Sequence, residues 1–310
     1  MEKLIDINFY PIQKTLNILL KDKTTENNII WATDTYTVDG KHNDSDEITL
    51  GDLTGYEYIN IQPRINKALE DQQARTRKKA EVFTPVWLCN QMNNHLDEDW
   101  FGRKDVFNIE KENDWEVVED KITFPKKKSW KKYVDSKRLE ITCGEAPFLV
   151  SRYDAASGHL IEPPKRRIGL LDRKLRVVNE NVEDKEEWLK WVNRAFESCY
   201  GFEYQGDSLL IARINFILTF YDYYVERWEE EPSVEELRHL AHTISWNLWQ
   251  MDGFTDCVPL GQPQEQFHQE TLFELFQDDD LKQPSFAPLC RIKNWRACRT
   301  MTYQSLKERR

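Results

Sequence analysis

Apolar residues along this chain mark out helices separated by a few short strands. Residues 1–20 carry Leu4, Phe9, Ile12, Leu16, Leu19 and Leu20 at spacings that predict a short helix. Residues 21–60 are polar, with a loop at 39–46 between short strand-like pieces, and a further helix is expected near 64–75. Val86, Leu88, Cys89 and Met92 then read as a turn feeding a helix, with Thr84 as its N-cap and Pro85 at its first position. A charged connector studded with tryptophan, 97–135, leads to an apolar strand at 138–142. Residues 186–196 put Trp188, Trp191, Val192, Ala195 and Phe196 on one stripe, which predicts an amphipathic helix packed on the core. A long buried helix is expected over 208–224, starting near Asp207. Ser233 and Glu236 are spaced as a capping box, opening a helix with Val234, Leu237, Ala241, Ile244 and Leu248 inward.

Two places in this pattern carry candidate chemistry. In residues 138–149 an apolar run reaches Glu140, turns through Cys143, Gly144 and Glu145, and resumes as an apolar segment. That is how a strand ends in a tight loop with a helix behind it, and open α/β sheets bind ligands outside such strand ends. Gly144 permits a sharp turn and a close approach by a ligand, although an ordinary strand-to-helix loop has the same look. The second place is Glu203, which closes the apolar-aromatic run Cys199, Tyr200, Gly201, Phe202 just ahead of the long helix. An acidic residue at the tip of the next strand is where nucleotide-binding folds hold ribose hydroxyls.

Phe83-Thr84-Pro85, then Glu140 with Cys143-Gly144 and Phe148-Leu149, then Tyr200-Gly201-Phe202-Glu203 with Ala212-Arg213-Ile214-Asn215 follow one another in this order. Together they resemble the adenine-N6 DNA methyltransferases of bacterial restriction-modification systems, over roughly residues 75–260. The resemblance implies an α/β, Rossmann-like fold that binds S-adenosylmethionine, with residues 1–75 a helical N-terminal extension and 76–310 the methyltransferase-like domain. It implies that Phe83, Thr84 and Pro85, with the loop of Glu140, Cys143 and Gly144, cradle the methionine part, and that Glu203 accepts from the ribose. Asp252, before Gly253, stands where the family contacts the adenine ring, or else is a turn residue at a helix end. The implied partners are DNA and a specificity or second catalytic subunit.

The departures from the family pattern matter as much. Ala146 and Pro147 replace the second loop glycine and stiffen the loop. The family's Asn/Asp-Pro-Pro-Tyr/Phe tetrapeptide, which holds the target amine and stacks the flipped base, occurs nowhere in the chain. The Pro163-Pro164 pair lacks the ring and precedes Glu203, so it reads as a loop. In the family the tetrapeptide follows a stretch such as 290–298. The expectation is therefore a polypeptide ending short of its catalytic strand and incomplete at its C-terminus, with catalytic residues supplied by a second chain or by positions that no motif identifies.

Composition bounds these readings. With 310 residues, 11 Trp, 12 Tyr and 15 Phe the chain can bury a sizeable core. No apolar run approaches a membrane span and the polar start is no signal peptide, so a cytoplasmic protein is expected. Six cysteines without Cys-x-x-Cys spacing indicate neither zinc nor a disulfide framework, and Cys143 reads as a small buried residue rather than a nucleophile. His239 and His242 lack a third ligand and read as packing residues. A net charge of −11 opposes DNA wrapping over the whole surface. Basic patches at 75–79, at 126–132 with Trp130 and Tyr133, and in the tail from Arg291 to Arg310 either track phosphates or solubilise a face.

Overall fold

The computed structural model describes residues 4–67, 84–261 and 287–307. Phe83, the basic patch at 75–79, most of the helix expected at 64–75, and Arg309 and Arg310 lie outside the described residues. The protein is α/β. Its helices surround a sheet of three parallel strands, β3 (Arg138–Ile141), β4 (Cys199–Glu203) and β5 (Leu248–Gln250), in the order β3-β4-β5. Ahead of the sheet come α1 (Ile12–Leu19), the single turn α2 (Leu50–Thr54), α3 (Val86–Phe101), the hairpin β1 (Asn108–Lys111) and β2 (Asp114–Val117), and α4 (Trp130–Val134). Between β3 and β4 run α5 (Leu170–Asn181) and α6 (Lys185–Phe196); between β4 and β5 run α7 (Gly206–Trp228) and α8 (Val234–Asn247). A second hairpin, β6 (Arg291–Asn294) and β7 (Arg299–Thr302), and the turn α9 (Gln304–Lys307) follow.

Parallel strands need crossovers of a dozen residues or more, and the two pairs of helices supply them. Strand alternation then sorts the sheet into two faces. Glu140, Gly201, Leu248 and Gln250 share one face, and Leu139, Ile141, Tyr200, Phe202 and Trp249 the other. The second face packs Phe202 and Trp249 against Cys290, Ile292 and Tyr303 of the C-terminal hairpin region. The main core joins Leu16, Leu19 and Leu20 of the N-terminal region to Leu209, Phe216, Leu240 and Ile244, so α1 shares its core with α7 and α8.

Several expected elements differ. The N-terminal helix begins only at Ile12, and Phe9 is exposed rather than on its buried face. The strand-like pieces at 21–60 are isolated bridges, Lys21 with Asn28 and Ile30 with Glu47. Arg64–Asn66 is a single 3-10 turn. Leu248 leaves its helix and opens β5. The 290–298 stretch is one arm and the turn of an antiparallel hairpin, not a further strand of the parallel sheet. His239 and His242 stand on the exposed side of α8 rather than in the core. Among the described residues no helix is long and apolar enough to cross a membrane.

One buried cation ties these parts together. Arg213 of α7 is fully buried and donates to Leu248 O at 2.6 and 2.9 Å, Lys21 O at 3.1 Å, Ser245 O at 3.4 Å and also to Leu19 O. Burial pulls its pKa down to about 10, with Asp22 acting in the opposite sense. Removing the guanidinium leaves buried carbonyls without donors and a hole in the core. Arg213→Ala is expected to lose about 3–5 kcal/mol of stability in urea unfolding. Arg213→Lys should recover little, because an ammonium cannot fork across carbonyls of separate segments. Retention of full stability by either variant would show that the cage is not structural.

Candidate functional site

The carboxyl ends of the three parallel strands meet along one edge. Ile141 pairs with Phe202 and Glu203 with Gln250, so the loop after β3, the acid ending β4 and the turn after β5 emerge side by side. Cys143 N–H donates to Phe202 O at 2.8 Å and Met251 N–H to Glu203 O at 3.0 Å, extending the ladder past the strands. At the centre, Gly144 N–H donates to Glu203 Oε2 at 2.9 Å. The other carboxylate oxygen of Glu203 accepts from Gln205 N–H at 3.2 Å. Two stretches separated by 59 positions in sequence are thus joined by a charge-assisted bond.

The backbone of the loop is contorted. Thr142, Gly144 and Ala146 have φ of 47°, 53° and 65°, so three of five successive residues are left-handed. Glycine adopts this at no steric cost, and a Cβ added at Gly144 would find nothing within 4 Å. Ala146, at the place of the family's second glycine, takes the left-handed conformation despite its methyl group and is fully buried. Gly201 serves packing. A Cβ there would lie 3.1 Å from Cys143 Sγ, so the glycine makes room for the buried cysteine. Burial pushes the Cys143 thiol well above its usual range, as do Glu140 and Glu203 nearby, in keeping with a packed residue.

Glu140 faces inward beneath the loop and accepts from Phe148 N–H at 3.4 Å. Burial raises its pKa well above the usual carboxylate range; its backbone hydrogen bonds pull the other way, and Glu203 raises it further. The two acids therefore differ in role. Glu140 fastens the far end of the loop, and Glu203 fastens its tip.

Thr84 and Pro85 stand just before α3, but not as expected. The helix starts at Val86, Pro85 is the cap residue, and no side chain of either caps it. Asp154 does so from afar, accepting from Val86 N–H at 3.2 Å. The helix reaches the β3 loop through Asn93, whose amide donates to Phe148 O at 2.9 Å and Ile168 O at 3.0 Å. Among the described residues Thr84 and Pro85 make no hydrogen bond to Gly144 or Glu203. Asp252 forms a tight turn, accepting from Phe254 N–H at 2.8 Å, with its own N–H on Cys257 O at 2.9 Å. It also lies near Tyr204, whose pKa rises by burial and then by Asp252 and Asp44.

The N-terminal region forms a wall that the sequence reading did not place here. Ile30 N–H donates to Gln250 Oε1 at 2.9 Å, and the Gln250 amide returns bonds of 2.8 Å to Ile30 O and Tyr204 O. Gly206 N–H donates to Trp31 O at 2.9 Å, and a Cβ on Gly206 would strike Ile30 O at 2.0 Å. Asp207 accepts from Tyr36 at 2.9 Å and Lys67 at 2.8 Å. Glu145 accepts from Arg64 N–H at 2.7 Å and from Tyr153 at 2.6 Å, beside Asn215. The signal available in the sequence was Gly206, a glycine opening a helix where nothing in the turn chemistry requires one. Phe254, beside Asp252, projects fully into solvent at the rim and was also missed.

Two lysines of 126–132 are held against aromatic rings. Lys128 lies 4.7 Å from the Trp100 ring, and Lys131 sits over both Trp130 and Trp191 while pairing with Glu187 at 3.8 Å. Comparison with protein-family models, curated proteins and solved structures finds no match for this chain.

Two expectations follow from the loop. Thr142 is exposed, β-branched and left-handed, a conformation costing on the order of 1–3 kcal/mol. Thr142→Gly should raise stability by about 0.5–1 kcal/mol in denaturant titration, the relief exceeding glycine's entropy cost; a loss would show the turn to be unstrained. At the loop's base Asp172 accepts from Ser151 N–H at 2.8 Å. Burial lifts its pKa to about 6, against the opposing pull of Arg167. Because the folded value exceeds the unfolded one, the contribution of Asp172 to stability is fully present below about pH 4 and is lost as pH rises through about 6, a change of about 3 kcal/mol from this group. Asp172→Asn should gain on the parent across that window, and a constant difference would contradict the assignment.

Proposed function

We propose that this chain is the S-adenosylmethionine-binding part of an adenine-N6 DNA methyltransferase, a modification subunit of a restriction-modification system with a Rossmann-like fold. The observation that carries the reading is the Gly144–Glu203 bond at adjacent parallel strand ends. It pairs the two motifs that the resemblance assigns to the cofactor, at the edge where open α/β sheets bind ligands.

The residues present fit the cofactor. Space for a Cβ and more lies over Gly144. Glu203 stands at the strand end and accepts from the N–H groups of Gly144 and Gln205, and a carboxylate in that place is the group that accepts from ribose hydroxyls in nucleotide-binding folds. In this reading Glu203 orients the ribose, Asp252 borders the adenine, and Phe83, Thr84, Pro85, Glu140, Cys143 and Gly144 surround the methionine part. S-adenosylmethionine supplies an electrophilic methyl group when bound. The chain's own residues bind and orient; direct displacement by an adenine amine needs positioning rather than a protein nucleophile, and the high thiol pKa of Cys143 suits that.

The absence of Asn/Asp-Pro-Pro-Tyr/Phe favours an accompanying reading, a subunit that binds cofactor and partners without methylating by itself. Its acidity, −11 overall, favours DNA recognition by a partner subunit in either case. Calorimetric titration of S-adenosylmethionine into the purified chain, without DNA, is expected to give micromolar binding. Glu203→Ala should weaken it about tenfold or more, since an unpaired hydroxyl contact costs about 1–3 kcal/mol. Unchanged affinity in that variant would refute the role of Glu203, and no binding by the parent would refute the cofactor reading.

A further inference from the structure

Three segments distant in sequence bring their cations to one surface. Arg213 donates both to Lys21 O at 3.1 Å and to Ser245 O at 3.4 Å, which lays residues 21–24 against the last turn of α8. Arg291 N–H donates to the Thr24 hydroxyl at 3.0 Å, so β6 starts beside the same residues. The hairpin is fixed to α8 in turn. Trp295 Nε1–H donates to Asn247 Oδ1 at 2.7 Å, and Lys293 Nζ lies 5.9 Å from the centre of the Trp246 ring. α8 ends where β5 begins, so this surface stands at the amino end of that strand, whereas the candidate cofactor site lies at the carboxyl ends.

His239, His242 and Trp246 follow one another at three and four positions along α8 and share one face, with both histidines exposed. Arg291 and Lys293 lie two apart on β6, on the side opposite buried Ile292. Lysines elsewhere on the surface, such as Lys131, Lys165 and Lys307, have carboxylate partners in Glu187, Glu119 and Asp256. Among the described residues Lys21, Lys23, Arg291 and Lys293 pair with none, on a chain whose 54 acids outnumber its 43 lysines and arginines.

The acids close by are already engaged. Asp22 is 3% exposed, spends Oδ2 on the N–H and hydroxyl of Thr25 at 2.8 Å each, and offsets the buried charge of Arg213. Glu197, which feels Lys293, pairs with Arg296 at 2.5 Å and Arg194 at 3.5 Å. The crowding of positive charge shows in the titration. His242 falls below its usual value through loss of hydration first, and then through Lys23, His239 and Lys293. Lys23 falls through burial and then Arg213, with Asp22 opposing and Lys21 and Lys293 adding to the fall.

Four permanent cations and two imidazoles that can gain a proton repel one another until an anion sits among them. One carboxylate has too few oxygens and too little charge to answer donors from three segments. A phosphate group carries up to about two negative charges and three acceptor oxygens, and lysine binds it as a point charge.

We infer that Lys21, Lys23, Arg291 and Lys293, with His239 and His242 of α8, form a site for a phosphate group. Small phosphate esters and nucleic-acid strands both present that group. The site is separate from the cofactor edge, and its anion binds whether or not S-adenosylmethionine does.

The test follows the ring-proton resonances of the histidines against pH in the full chain. Inorganic pyrophosphate and a single-stranded oligothymidylate are the probes, with acetate at matched ionic strength as the control. Either probe is expected to raise the pH at which His242 titrates by about 0.5 or more, because a bound anion favours the charged imidazole. His95, on α3, should not respond. Lys23→Gln combined with Lys293→Gln should weaken binding about tenfold or more, as hydrogen bonds to charged groups are lost. Lys23→Arg combined with Lys293→Arg should stay within about threefold of the parent, because the charge is retained. An oligonucleotide bound about tenfold tighter than pyrophosphate or more, and weakened by salt, identifies a nucleic-acid backbone as the source; any smaller ratio identifies a free phosphate ester. No response of His242 to either probe, an equal response to acetate, or full binding by the glutamine variant overturns the inference.

Discussion

A guanidinium buried without a carboxylate hydrogen-bonded to it sets the geometry of this protein. Arg213 is satisfied by carbonyls of Leu19, Lys21, Ser245 and Leu248, which belong to the N-terminal segment and to the junction of α8 with β5. Desolvating a cation is costly unless every donor is used, so the three segments must arrive together. α7 begins three residues after Glu203, and fixing it fixes the tip of β4. Asn247 completes the frame, donating to Phe196 O and Cys199 O at the start of that strand.

With the frame set, the strand ends bring two acids close beneath one loop. Loss of hydration drives Glu140 toward its neutral form, with a smaller push from Glu203, and Glu203 accepts from two backbone N–H groups. The loop between them is bent through three left-handed residues, two of which are not glycine. Strain of this kind survives only where the surroundings over-determine the chain, and it concentrates at sites that bind. The N-terminal region adds the outer wall by way of Ile30, Trp31 and Tyr36, so it belongs to the site and to the core alike.

What the sequence could show depended on whether buried positions were apolar. The helix Lys185–Phe196 and the capping box of Ser233 with Glu236 were legible, because stripe and cap chemistry are local. The strands ending at Ile141 and Glu203 were legible for the same reason. α5 was not, although most of it is buried. Its interior positions include Asp172, Arg173, Lys174 and Arg176, satisfied by distant partners such as Asp97, Asn90 and Val118 O that no window along the chain reveals. Thr84 failed as a cap because Asp154, 68 residues away, takes the helix N–H. The resemblance set Gly144 and Glu203 around one cofactor without joining them to each other; their hydrogen bond, and the contribution of Gln250 and Ile30, depend on tertiary contact alone.

The central claim is that the edge built from Gly144, Glu203 and Asp252 receives S-adenosylmethionine. Amide chemical shifts recorded while the cofactor is titrated into isotopically labelled chain address it residue by residue. The account predicts that Gly144, Gln205 and Asp252 move together and saturate together, while Leu139 and Met92 stay still. Shifts centred elsewhere, or none at millimolar cofactor, would contradict it.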